Sequence, residues 1–148
     1  MNGLLFTLTF AVAAPFWALM ILLPKWAVTA RVIRSPLIVA PGLVIYALLV
    51  IPALGEVLPA VLAPTLDGVR DLLGTTNGAA AAWAHMIAFD LFVGRWAWLD
   101  SRERAVPSLA MAPVLVLTIL LGPLGLAGYL AIRPRWPRRV VATAPNPT

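Results

Sequence analysis

Three ionisable side chains able to do chemistry stand in one apolar run. They are His85, Asp90 and Arg95 in AWAHMIAFDLFVGRWAWLD, residues 82–100. A histidine moves protons near neutral pH, a carboxylate among apolar groups acts as acid or base, and an arginine orients or tunes either. On a helix turning about 100° per residue, Asp90 is rotated about 140° from His85, and Arg95 about 140° further. The three therefore point in three directions, and each needs a partner on another helix, in a cavity or in a second subunit. His85 shares its stripe with Phe89, Phe92 and Trp96, whereas Asp90 shares its side with Trp83, Met86 and Gly94. Gly94 would let another helix approach closely. Asp90 is expected either to stay protonated or to pair with a cation. The bland role for the three is interhelical hydrogen bonding. The functional role is a polar pocket at membrane depth, towards which ionisable residues in such spans lean.

The elements that must hold these residues follow from composition. Apolar residues make up 61% of the 148 and charged residues 11%, against about 45–50% and about 25% in a soluble globular chain. Lipid is then the expected solvent for most of the chain. A helix crossing the roughly 30 Å hydrocarbon core needs about 20 apolar residues. Residues 2–24, 37–55 and 105–132 are free of charge, and residues 79–99 are equally long and mostly apolar. Helix is the economical conformation at that depth, because backbone polar groups find no water there. The expectation is an all-α integral membrane bundle of four transmembrane helices over residues 1–132, with a basic, Pro-rich, disordered tail over 133–148. Pro15, Pro41, Pro52, Pro113 and Pro123 are expected to kink these helices.

The connections carry most of the charge. Residues 25–36 are basic, 56–78 are acidic with an expected interfacial helix over 60–73, and 100–104 form a mixed-charge turn. Arg133, Arg135, Arg138 and Arg139 flank Trp136 in an interface-anchor pattern, pointing to anionic headgroups. No basic face interleaves with aromatics, so no nucleic-acid partner is expected. No Lys or Arg precedes the first apolar run, which reads as a retained helix instead of a cleaved leader. With four spans the Lys and Arg counts on the two sides are equal, apart from a small tilt towards cytoplasmic first and third loops if Arg95 is counted. One histidine and no cysteine fall short of a three-ligand set within one chain, so no metal or other cofactor is expected. Glycine-rich phosphate loops and serine–histidine–acid arrangements are also missing.

Ala82-Trp83 followed by His85, then Asp90-Leu91-Phe92 with Arg95 and Asp100 behind, resembles the core of the ABA4-like (abscisic-acid-deficient 4) family. Pro15-Phe16-Trp17 with Leu19-Met20, Pro24 and Thr29 resembles the family's first helix, and Gly122-Pro123 with Gly125 its last. The resemblance runs from about Pro15 to Ile132 and implies a small four-helix membrane protein. In the plant member it implies conversion of violaxanthin to neoxanthin, which needs an acid at the epoxide oxygen and a base for a carbon-bound proton. By position, Asp90 would be the base and His85 the acid, with Arg95 tuning them. For this chain the expected setting is a bacterial cytoplasmic membrane and a carotenoid or other isoprenoid lipid. The chain would act as an isomerase-type enzyme or as a non-catalytic pigment- or partner-binding protein, alone, as a homo-oligomer or beside a partner enzyme. A proton-coupled transporter is the third reading.

Overall fold

The computed structural model describes residues 1–137, and among these every regular element is helical. Eight α-helices follow in order: α1 (Asn2–Leu22), α2 (Ala27–Arg34), α3 (Ala40–Val50), α4 (Leu54–Leu62), α5 (Leu66–Gly74), α6 (Thr76–Glu103), α7 (Ser108–Leu120) and α8 (Gly122–Ile132). Short 3-10 turns at Pro36–Val39, Ile51–Ala53 and Arg133–Arg135 join or extend them. The all-α expectation holds. Of the expected disordered tail over 133–148, Arg133–Arg135 instead form a 3-10 turn held by Arg133 on Asp100, and residues 138–148, with Arg138 and Arg139, lie outside the described residues.

The 28-residue α6 runs for about 42 Å and is the axis of the molecule. Thr75 caps it, its Oγ1 accepting the Gly78 N–H at 2.9 Å. Ala80, Ala84, Ile87, Ala88, Leu91, Gly94, Ala97 and Trp98 recur at helical spacing and form its buried side. Small residues let neighbours close in. Gly42 of α3 lies against Ala88, and the Trp17 indole of α1 lies on Gly94, as the glycine's position in the stripe leads one to expect. Much of the outer surface is apolar. Leu4, Phe6, Leu43, Val44, Leu48, Leu109, Leu120 and Leu124 are all exposed. Two stretches, Asn2–Leu22 and Pro36–Leu62, are long and apolar enough to cross a membrane.

The expected fourth crossing is corrected by the structure. Residues 105–132 do not form one helix. They break at Leu121 (φ −148°, ψ 67°), and α8 folds back along α7, with Gly125 against Thr118 and Gly128 against Leu117. At about 20 Å and about 16 Å, neither arm reaches across a 30 Å core. The hairpin enters and leaves at the same end of α6. Tyr129 of α8 reaches Asp100, and the Arg104 guanidinium donates to the Trp136 carbonyl at 3.3 Å. Gly122 packs where only a Cα fits, and Pro123 takes the first turn of α8, where its missing N–H costs nothing.

Two further expectations change. Only Pro15 and Pro113, of the five prolines expected to kink helices, stand inside one; Pro41, Pro52 and Pro123 occupy first turns or a 3-10 link. The helix expected over 60–73 starts at Leu66, because Pro64 ends the preceding run and Thr65 Oγ1 accepts the Gly68 N–H at 3.1 Å.

Candidate functional site

Each of the three ionisable residues of α6 finds a different neighbour. His85 lies exposed on the outward side, its ring stacked on Phe89 with centroids 4.6 Å apart and tilted against Tyr46 of α3 at 5.6 Å. It makes no hydrogen bond with any described residue. Above it a cavity of about 270 Å³ opens between α3, α4, α5 and α6, lined by Tyr46, Val50, Val57, Leu72, Ala82 and His85. A separate groove of about 350 Å³ lies further along α6, lined by Val39, Leu43, Ala88, Phe89 and Phe92. From Asn77, at the upper end, to Phe92 the rise along α6 is about 22 Å. Asn77 donates to the Leu49 carbonyl at 3.1 Å and accepts from Asn2 at 3.2 Å, so its amide is held in place by α3 and α1.

Asp90 is half-buried on another side of α6. Its carboxylate lies on Gly122, the first residue of α8, at the tip of the hairpin. The helix dipole gives that end a partial positive charge, which favours an anion. Met86, grouped with Asp90 by the sequence pattern, instead lines the cavity beside His85.

Arg95 is fully engaged in backbone capping. Its Nε donates to the Ile33 carbonyl at 2.8 Å and the Ser35 carbonyl at 3.2 Å, and its Nη2 to the Arg34 carbonyl. The Ile33 and Arg34 carbonyls are ones that the last turn of α2 leaves without intrahelical donors, and Ser35 is the residue that caps it. Thus His85, Asp90 and Arg95 do not meet. An acid–base pair of His85 and Asp90 on one substrate atom is not built in this arrangement. In the cavity that His85 lines, the other titratable group among the described residues is Tyr46.

Asp100, expected in a turn and in the motif that carries the family resemblance but given no role, accepts more side-chain hydrogen bonds than any other group among the described residues. It is 3% exposed and accepts from Arg104 Nε at 2.7 Å, Arg133 Nε at 2.8 Å and the Tyr129 hydroxyl at 2.6 Å. Trp96 packs edge-on against Tyr129 and lies under the Arg133 guanidinium. The hydrogen bonds to Asp100 push the Arg133 guanidinium above its already high ordinary value, so it stays charged. The i,i+4 spacing of Asp100 and Arg104 was a legible signal; Arg133 and Tyr129 are too distant in sequence to have been one. Among the described residues no group of three His, Asp or Glu is arranged to hold a metal ion.

A family model described as ABA DEFICIENT 4-like matches residues 4–129. Protein ABA DEFICIENT 4, chloroplastic, of Arabidopsis thaliana is 27% identical over 126 residues, covering 80% of this chain and 56% of that protein. The chain thus spans a little over half the length of that curated relative. No solved structure matches.

Proposed function

Because the chain belongs to the ABA4-like family, we propose that it is an integral membrane protein of carotenoid or related isoprenoid metabolism that holds an elongated apolar ligand along the outer side of α6. The observation that carries this reading is a row of two apolar spaces along α6, one reaching from Asn77 to His85 and the next flanking Phe89 and Phe92. It is apolar and aromatic, it is about as long as a rod-like polyene segment needs, and it has few polar groups along it. Binding is the primary role in this reading. If the ligand is also chemically changed, His85 is the proton-transferring group and Tyr46 its neighbour, in place of a His85–Asp90 pair. Opposed placement of His85 and Asp90 also counts against a proton relay through the two.

The membrane reading rests on the apolar exterior. Only 22% of an 18-residue apolar window in each of the two long stretches is buried inside the molecule, whereas a core helix of a soluble protein would be mostly covered. We read α1, the Pro36–Leu62 stretch and α6 as three crossings and the α7–α8 hairpin as re-entrant. This departs from four spans and has a consequence for orientation. Lys25, Arg31, Arg34, Arg95, Arg102, Arg104, Arg133 and Arg135 gather at one end of α6, and among the described residues Arg70 is the cation at the other. The positive-inside rule then favours a cytoplasmic basic end in a bacterial cell membrane.

Expression in a carotenoid-producing bacterial membrane tests the ligand claim. Wild-type protein purified in mild detergent should carry carotenoid absorbance, and Leu43→Trp, which fills the groove, should carry several-fold less at equal protein yield. Colourless wild-type protein, or equal pigment in both, would refute it. Chromatography of the total pigments separates the two roles: new carotenoid species accompany an enzyme, while redistribution alone accompanies a binder.

A further inference from the structure

We propose that Lys25, Arg34 and Arg102 form a binding site for the phosphate of an anionic lipid headgroup at the basic end of the bundle. The proposal rests on the membrane reading above. A cavity of about 310 Å³ opens between the linker after α1, helix α2 and the last turns of α6, with these three cations, Trp26, Trp98 and Glu103 on its walls. A second space of about 490 Å³ shares Lys25 and Arg102 and continues to Ser108 of α7. Both volumes suit a small polar group.

The charge around the cavity is unbalanced. Asp100 already accepts from Arg104 and Arg133, and Arg95 is spent on the carbonyls of α2. The side chains of Lys25 and Arg34 have no hydrogen bond or ion pair with any described residue. Arg102 is steadied over the Trp98 ring at 5.6 Å and donates weakly to Ser108 Oγ at 3.4 Å. Glu103 is the one carboxylate on the wall among the described residues, so three cations converge with a surplus of positive charge. A phosphodiester would relieve their mutual repulsion and take charge-assisted hydrogen bonds from each.

The depth fits a headgroup. The charge-free run of α1 ends at Leu22, and Lys25 and half-exposed Trp26 follow at once, as interface anchors do. Basic pockets between helices at a cytoplasmic surface are a recurring way of holding anionic lipid.

The full chain, reconstituted in phosphatidylcholine nanodiscs with trace spin-labelled phosphatidylglycerol or spin-labelled phosphatidylcholine, gives the test. The motionally restricted fraction should show a preference for phosphatidylglycerol of at least about fivefold, the worth of one cation at the surface. The Lys25→Gln/Arg34→Gln/Arg102→Gln variant should lose it, and Arg31→Gln, off the cavity, should keep it. If the triple variant fails to fold, Lys25→Gln alone, an exposed substitution, should still weaken the preference. Equal restriction of both lipids by wild-type protein would overturn the site and leave the membrane reading standing. Loss of the preference on adding millimolar inorganic phosphate would show a free-phosphate site and overturn the lipid assignment. Protein that does not enter the bilayer at all would overturn both.

Discussion

The Cα of Gly122 sits so close to the Asp90 carboxylate that a Cβ there would overlap Asp90 Oδ1. One residue is the first of α8, the other is midway along α6, and together they set how deep the hairpin reaches. Carboxylate and helix N-terminus attract, and the missing side chain lets them touch. Gly122→Ala must push the hairpin tip off α6 or turn the carboxylate away, at about 1–3 kcal/mol. Thermal denaturation in detergent should show the loss, and Asp90→Ala added to it should recover part. A wild-type melting temperature for Gly122→Ala would mean the contact is slack.

Asp100 closes the other end of the hairpin. Asp100→Asn keeps the shape but leaves Arg104 and Arg133 facing an amide. The expected cost is about 2–4 kcal/mol, on the low side for a buried pair because the Arg133 side chain is a third exposed. Tyr129→Phe removes one hydrogen bond and should cost about 1 kcal/mol. Equal melting curves for Asp100→Asn and wild type would show that the network adds nothing.

The absence of native cysteine makes a clean topology experiment available. Single variants Asp67→Cys, Glu103→Cys and Arg135→Cys, treated in intact cells with a membrane-impermeant maleimide, should divide one against two. Asp67→Cys labels; the other two label only after lysis. Glu103 and Arg135 on opposite sides would restore a fourth through-going helix.

His85→Gln and Asp90→Asn, which a shared catalytic pocket would make equivalent, are expected to differ. His85→Gln alters the groove wall and should shift the amount or absorbance of bound pigment with little change in melting temperature. Asp90→Asn should lower the melting temperature and leave pigment in place, since it touches the hairpin and not the groove. Pigment loss in both would return them to one site.

Much of the architecture was legible because composition is a statement about solvent. A charge-free run such as residues 2–24 and a mostly apolar one such as residues 79–99 have the length and composition of helices, whatever they pack against. The three-way divergence of His85, Asp90 and Arg95 was legible too, since it follows from helical periodicity alone. Their partners were not. Periodicity tells which way a side chain points and says nothing about which distant segment comes to meet it.

The sequence by itself therefore determined an all-helical, strongly apolar chain with His85, Asp90 and Arg95 on one helix, because hydropathy and period are local properties. Tertiary structure alone decided that residues 105–132 turn back at Leu121, that Asp90 meets Gly122 and that Arg133 returns to Asp100. Hydropathy scores a window of 28 apolar residues the same whether it crosses the bilayer or doubles back inside it. The choice was made by contacts the window cannot see: a buried carboxylate on α6 that needs Arg133 and Tyr129, and glycines at 122 and 125 small enough to let the two arms close.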